Sequence, residues 1–179
     1  MIASARTVVG DPSSLRHILG HYPTGVCLVT ATQDDGTPVG MIVGSFTSVS
    51  LEPPLVAFLP QRKSISWQRI AATGRFCVNV LAEHQEEVCR KFTASVADRF
   101  EGIEYRLSGN GLPILENILA WIECDIDVVH EAGDHLIVVG RVRSLAVEQP
   151  HGPLLFFKGS YGGFLSSPAP DLNDPHRSH

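Results

Sequence analysis

Long hydrophobic runs are missing from this sequence, and so is any excess of basic charge. The longest apolar stretches, such as Leu136 to Gly140 with its neighbours, fall far short of the roughly 18–20 residues needed to span a bilayer, so no membrane segment is expected. Residues Met1 to Gly10 lack the apolar core and cleavage-site pattern of a signal peptide, which makes the cytoplasm the expected location. Lysine and arginine number 14 against 19 acidic residues, a net charge of -5. A nucleic-acid surface would present a basic patch, so no nucleic-acid partner is expected. Cysteine is scarce: Cys27, Cys77, Cys89 and Cys124 follow no metal-site spacing. The runs around Cys27, Cys77 and Cys124 are apolar and strand-like, where a free thiol packs as a small hydrophobe. The eight histidines include no HExxH pair, and His17 and His21 have no third ligand nearby, so no metal site is expected. Also absent are a GxGxxG after a first strand, a P-loop, a GxSxG elbow and any spacing that supports a Ser/His/Asp triad.

What is present is a chain of 179 residues, 44% hydrophobic and 18% charged, enough for one domain with a proper core. Asp11 can cap a first helix, with Pro12 in its first turn, Leu15, Ile18 and Leu19 as its apolar stripe, and Gly20 as its end. Gly25 to Thr32 is rich in β-formers, Asp35-Gly36 is a hairpin signal, and Pro38 to Val43 resumes as a strand. Leu55 to Leu59 is a further strand. A helix over Ser64 to Ala72 carries Ile65, Trp67 and Ile70, and a buried strand follows over Phe76 to Leu81. Glu83 to Phe92 reads as a polar-faced helix with Val88 and Phe92 four apart.

The alternation from Ala120 to Val128 puts Ala120, Ile122, Cys124, Ile126 and Val128 on one face and Glu123, Asp125 and Asp127 on the other. That pattern predicts a half-exposed antiparallel strand. After a turn at Ala132-Gly133-Asp134, His135 to Leu145 returns as its partner, and Leu154 to Phe157 is one more strand. Hairpins outnumber helical crossovers. The expected fold is mainly β, a barrel with a few peripheral helices. The domain is expected over 13–165, with an N-terminal extension over 1–12 and a disordered tail over 166–179 rich in Pro, Ser, Asp and His.

Two polar tracts carry candidate chemistry. Gly44 to Pro54 holds closely spaced hydroxyls that, with backbone N–H groups, can satisfy phosphate oxygens. Gln61 to Trp67 combines cations, hydroxyls and the start of a helix, which presents unpaired donors and a positive dipole end. Strand composition and helix capping by Ser64 explain the same residues without a ligand, and the residues alone leave both readings open.

Pro38-Val39-Gly40-Met41, Ser45 through Leu55, Lys63 through Trp67, Gly74 through Leu81, Asp98-Arg99-Phe100, Gly133-Asp134-His135 and Gly159-Ser160-Tyr161 stand in one order and register. Together, from about Leu15 to Gly163, the chain resembles the flavin reductase-like family, in particular the small reductase component of two-component flavin-dependent monooxygenases. The resemblance implies an FMN-binding split β-barrel that works as a homodimer, with the flavin near the subunit interface. It implies that Met41, Ile42, Val43, Gly44, Ser45, Phe46, Thr47 and Ser48 line the isoalloxazine and ribityl chain. Lys63, Ser64, Ser66 and Trp67 fall where phosphate is held, Arg99 and Phe100 in a further flavin-contacting stretch, and Tyr161 in a stretch that closes the pocket. At Ile42 the family usually has Thr, and at Gly44 often a polar residue; one departure removes a hydroxyl, the other a side chain, while both backbone N–H groups remain.

The implied activity is hydride transfer from NADH (or NADPH) to FMN or FAD, with reduced flavin passed to a monooxygenase partner. Such chemistry asks little of the protein in acids and bases. His135 is the candidate for positioning the nicotinamide or placing positive charge by the reduced flavin; its alternative is a turn histidine bonded to a backbone carbonyl. Two further readings share the site: a tightly bound flavin acting on a small organic substrate, and a flavin-binding protein without turnover.

Overall fold

The computed structural model describes residues 12–94 and 98–165. Asp11, the rest of the expected N-terminal extension before Pro12, and the expected tail lie outside the described residues. In chain order the elements are α1 (Pro12–Leu19), β1 (Thr24–Gly25), β2 (Cys27–Thr32), β3 (Pro38–Val43), β4 (Thr47–Leu51), β5 (Pro54–Phe58) and α2 (Ile65–Ala72). Then come β6 (Arg75–Val80), a 3-10 turn (Glu83–Gln85), α3 (Glu86–Thr93), β7 (Tyr105–Leu107) and β8 (Pro113–Leu115). The chain continues through β9 (Ala120–Ala132), β10 (His135–Val147), β11 (Leu155–Phe157) and β12 (Ser160–Gly162).

Seven strands form one antiparallel sheet in the order β3-β2-β6-β9-β10-β5-β4. Val39 and Val43 at one end of that order and Val56 and Phe58 near the other belong to a single apolar core. The sheet is therefore curved around that core but stays open between β3 and β4, the arrangement of a split barrel. α2 packs on β3, β2 and β6 and turns Trp67 and Ile70 into the core. There Phe58 meets Trp67 and Phe76 edge to face, with ring centroids 5.7 and 5.2 Å apart. Burying each such side chain is worth about 1.5–3 kcal/mol. Gly140 is demanded by this packing, since a Cβ there would lie 2.4 Å from the Phe76 ring.

The outer face of the sheet is covered as well. Around the β7–β8 hairpin, the carbonyls of Pro113 and Gly111 accept hydrogen bonds from Thr30 (2.6 Å) and Thr32 (2.6 Å). Asn79 donates to the carbonyl of Leu28 and the hydroxyl of Thr30, and its carbonyl accepts from Leu115 N–H at 2.9 Å.

Several sequence expectations need correction. The strand expected over Gly25 to Thr32 is broken at Val26: β1 pairs with β11 in a separate three-stranded sheet, while β2 joins the large one. Val26 donates to the Leu154 carbonyl and accepts from Leu81, so the chain changes sheets there. The hydroxyl tract is partly an edge strand, β4, irregular at Ser48/Ser50 where it pairs with β5. The helix expected over Glu83 to Phe92 opens as a 3-10 turn, in which Gln85 Oε1 accepts from Ala82 N–H. On β9 the exposed acidic face is only partly right: Glu123 is 3% exposed because the β7–β8 turn covers it and Asn110 donates to it at 3.0 Å. Asp125 and Asp127 instead pair with Arg143 and Arg141 (2.6 and 2.7 Å). Val128, expected inside, is exposed, since the β9–β10 ribbon runs past the core. All four cysteines are free and buried.

Candidate functional site

β3 is an edge strand. Every other residue along it therefore turns N–H and C=O groups away from β2, with no strand beside them. α2 lies against this strand, and the groove between them holds two cavities end to end.

The first cavity, about 340 Å³, takes Met41, Ile42, Val43, Gly44 and Ser45 from the end of β3 and the turn after it. Facing them are Gln61, Ser64 and His135. Ser45 is fixed by the Leu59 N–H, which donates to its hydroxyl at 2.9 Å. His135 reaches the cavity because the tip of the β9–β10 hairpin is tied to the chain before α2: Arg62 N–H donates to the Asp134 carbonyl, and Leu136 N–H to that of Pro60. Asp134 accepts from His135 Nδ1 at 2.7 Å, and this bond, then the charge of the imidazole, holds the Asp134 carboxyl below its usual range. The imidazole is thereby oriented with Nε2 left for a ligand.

Ser64 is the N-cap of α2, its hydroxyl accepting from Trp67 N–H at 3.2 Å. Gln68 N–H bonds the Ser64 carbonyl. Ile65 and Ser66 are left with amides that have no acceptor within the helix. Beside them Arg99 donates to the Ser66 hydroxyl at 3.1 Å. Hydroxyls, helix-end amides and a guanidinium make a donor set suited to a phosphate. The second cavity, about 670 Å³, continues from this point along Pro38, Val39 and Gly40, with Ser66, Arg99 and Phe100 among its walls.

A third, mostly apolar cavity of about 210 Å³ adjoins the first through Ile42 and Gly44 and is walled by Thr24, Phe156 and Tyr161. Gly44 allows the close pass of Thr24: a Cβ there would lie 2.8 Å from Thr24 Oγ1. Burial raises the pKa of the Tyr161 hydroxyl and of the Cys89 thiol, the latter to about 11.

The structure thus brings Met41 to Ser45, Ser64 and His135 together, Ser66 with Arg99 and Phe100, and Tyr161 with Ile42 and Gly44. It does not bring all the candidates to these cavities. Trp67 faces the core, Phe46 packs against that core, Thr47 and Ser48 sit exposed on β4, and Lys63 is exposed just before α2. Phe100 is 7% exposed and meets the cavity only at the rim of its packing with Phe92 and Tyr105. Thr24 and Arg69 also line these cavities and were not among the candidates. Arg69 was within reach of the helical period, one turn after Ile65 and Ser66; Thr24 carried no signal, because it arrives through a change of sheet.

Residues 19–164 match the flavin reductase like domain. The chain belongs to this family. A flavin reductase of Pseudomonas putida is 58% identical over 156 residues, 87% of this chain and 92% of that one. Among solved structures, nitrilotriacetate monooxygenase component B from Mycobacterium thermoresistibile superposes with a TM-score of 0.83 and is 42% identical, covering 90% of this chain and 93% of its own. The NADH:FAD oxidoreductase SgcE6 of Streptomyces globisporus has a TM-score of 0.81 at 34% identity, covering 90% and 99%. For a flavin reductase of this family the donor set fits the cofactor: an edge strand for a flat ring, and hydroxyls, amides and arginine for its phosphate. Among the described residues, no group of three or more His, Cys, Asp or Glu is placed to hold a metal ion, and no helix is long and apolar enough to cross a membrane.

Proposed function

We propose that the protein is an NADH-dependent flavin reductase that binds FMN or FAD in the β3–α2 groove and releases the reduced flavin to a monooxygenase component. The observation that carries this reading is the groove itself: an open strand edge that runs into the N-terminus of α2, with Ser64, Ser66 and Arg99 gathered there.

Bound flavin supplies a ring that accepts hydride. The protein's residues bind and orient. The edge of β3 and Ser45 hold the ring's polar rim; Ser64, the Ile65 and Ser66 amides and Arg99 hold the phosphate. His135, steadied by Asp134, positions the nicotinamide at the mouth of the first cavity. Apolar Met41 and Ile42 exclude water from the ring face. No side chain is required to abstract a proton, which fits a site without a buried base.

Flavin that must leave is bound moderately, on the order of micromolar, or roughly 8 kcal/mol. The working unit in this reading is a cytoplasmic homodimer. Exposed apolar side chains on β4 and β10, Leu51 and Val147 among them, support self-association, and four unpaired thiols suit a reducing compartment. The test is aerobic NADH oxidation with no flavin, with FMN and with FAD. Oxidation that requires added flavin is the expected result. Flavin binding without NADH oxidation would instead leave a flavin-binding protein without turnover, and reduction of an organic substrate by retained flavin would point to a prosthetic group.

A further inference from the structure

Among the described residues, one buried side-chain polar atom lacks a hydrogen-bond partner: Oε1 of Glu123. The side chain is 3% exposed, and its other oxygen, Oε2, accepts from Asn110 Nδ2 at 3.0 Å. A buried carboxylate oxygen without a donor is costly, and such groups are rare in native structures. Glu123 stands in the wall of a cavity of about 290 Å³ on the outer face of the sheet, with Arg75, Asn110, Asp125 and Arg143. None of its lining residues belongs to the flavin groove or to the cavity beside Tyr161. We propose that this cavity is a second ligand site, which takes a small zwitterion of the α-amino acid class. Its ammonium sits on Glu123 and its carboxylate on Arg75. The proposal does not depend on the flavin reading.

Three strands and a turn build the site. Arg75 on β6 pairs with Asp125 on β9, and Cys77 with Glu123. Arg75 and Glu123 are therefore diagonal neighbours on one face of the sheet, about 7–8 Å apart along the backbone grid. On β10, Val142 pairs with Cys124 and Ser144 with Glu123, so Arg143 is an extra residue between them. Such a bulge re-aims its side chain, and Arg143 Nε lies on Asp125 Oδ2 at 2.6 Å. The β7–β8 turn closes the cavity with Asn110. Ser108 fixes that turn, its hydroxyl accepting from the N–H groups of Asn110 and Leu112 at 3.2 and 3.1 Å. Asn110 is exposed. A ligand therefore reaches the carboxylate by moving a surface amide, not by repacking the core.

The charges of the cavity balance, two carboxylates against two guanidinium groups. Asp125 and Arg143 answer each other. Arg75 has no carboxylate within ion-pair distance among the described residues, so Arg75 and Glu123 remain. A simple cation would satisfy Glu123 but stand beside Arg75, and a simple anion would meet the reverse. A molecule with both signs a short distance apart satisfies both. An α-amino acid brings three N–H donors to Oε1 and two oxygens to the guanidinium fork. The volume falls just below the roughly 300 Å³ at which sites for drug-sized ligands begin, which suits a ligand of few atoms. Leu112 and Cys124 add apolar wall for a small side chain.

Titration calorimetry on the intact protein tests this with L-alanine and its two halves, propionate and ethylamine. L-Alanine is expected to bind at least ten-fold more tightly than either half. Glu123→Gln, which keeps the shape and removes the charge, is expected to weaken L-alanine ten-fold or more. The surface variant Arg75→Ala is expected to do the same, and it tests the site even where Glu123→Gln does not fold. Flavin affinity should change less than two-fold in both variants. No binding of L-alanine at millimolar concentration would overturn the proposal, as would unchanged affinity in Arg75→Ala. Propionate or ethylamine binding as tightly as L-alanine would reduce the cavity to a site for one charge and overturn it too. L-Alanine that competes with FMN would overturn it by placing the amino acid in the flavin groove.

Discussion

Two regions of the barrel carry polar side chains on β-structure, and they treat them in opposite ways. On the covered outer face, Asn79 and Thr30 are fully buried and the polar atoms of these two side chains have partners: Asn79 bonds Leu28, Thr30 and Leu115, and Thr30 bonds Pro113, whereas the buried Oε1 of Glu123 nearby has none. Along the groove, Ser64 and Ser66 each take one hydrogen bond and face a cavity, while the edge of β3 has no neighbouring strand. Buried polar groups that satisfy one another specify the fold. Those left half-satisfied beside a cavity are free to bind a ligand. Composition does not separate the two, since Thr30 and Ser66 look alike in sequence; partners do.

The contrast can be broken from the core side first. Asn79→Ala strands the Leu115 N–H in the interior and takes a donor from the Leu28 carbonyl, while the Pro113 carbonyl keeps its bond from Thr30; an unsatisfied buried group costs about 1–3 kcal/mol. A loss of about 2 kcal/mol or more is expected in chemical denaturation, with flavin affinity of the folded fraction unchanged. Weakened flavin binding at native conditions would show that the two regions are coupled.

The buried thiols give a second core-side effect, one that depends on pH. Burial raises Cys27 and Cys124 to about 12 and Cys89 to about 11, from an ordinary value of 9.0. The unfolded chain ionises these thiols first, so their contribution is whole below pH 9 and is lost as pH rises towards 11 and 12. The melting temperature should hold steady between pH 7 and pH 8.5 and fall beyond about 9. Rapid labelling of native protein by a thiol reagent at pH 8 would contradict the burial on which this rests.

On the groove side, Arg99→Ala removes a charge-assisted donor from the phosphate position. Flavin affinity should drop by roughly ten-fold, about 1.4 kcal/mol, with little change in melting temperature. The smallest effect is expected at the residue that belongs to both regions. Ser64→Ala loses an N-cap, about 1 kcal/mol of stability, and also weakens flavin binding modestly. A change in stability alone would return Ser64 to a purely structural role.

Much of the fold was legible because its strands carry their own periodicity. The alternation of Ala120 to Val128 and the Ala132-Gly133-Asp134 turn marked the β9–β10 hairpin, and the Ser64 cap marked α2. Two kinds of information were not legible. Glu123 read as exposed because the hairpin that covers it, β7–β8, is short and weakly patterned. At β4 the residues left a phosphate reading and a strand reading open, because serine and threonine suit edge strands and phosphate alike. In the site, Met41 to Ser45 and His135 line one cavity, although they are some ninety positions apart in sequence. Trp67 lies apart from them, since its helix turns the indole to the core. The second cavity had no single sequence signature, being assembled from the start of β3, from α2, from Asp98 to Glu101 and from Tyr105.

Hydrogen exchange with and without flavin tests the central claim most directly, because it reads the backbone of each strand separately. Saturating FAD should slow exchange over Met41 to Ser45 and over Ser64 to Ser66, and leave β6, from Arg75 to Val80, unchanged. Protection spread evenly over the barrel, or confined to segments away from β3 and α2, would place the flavin elsewhere.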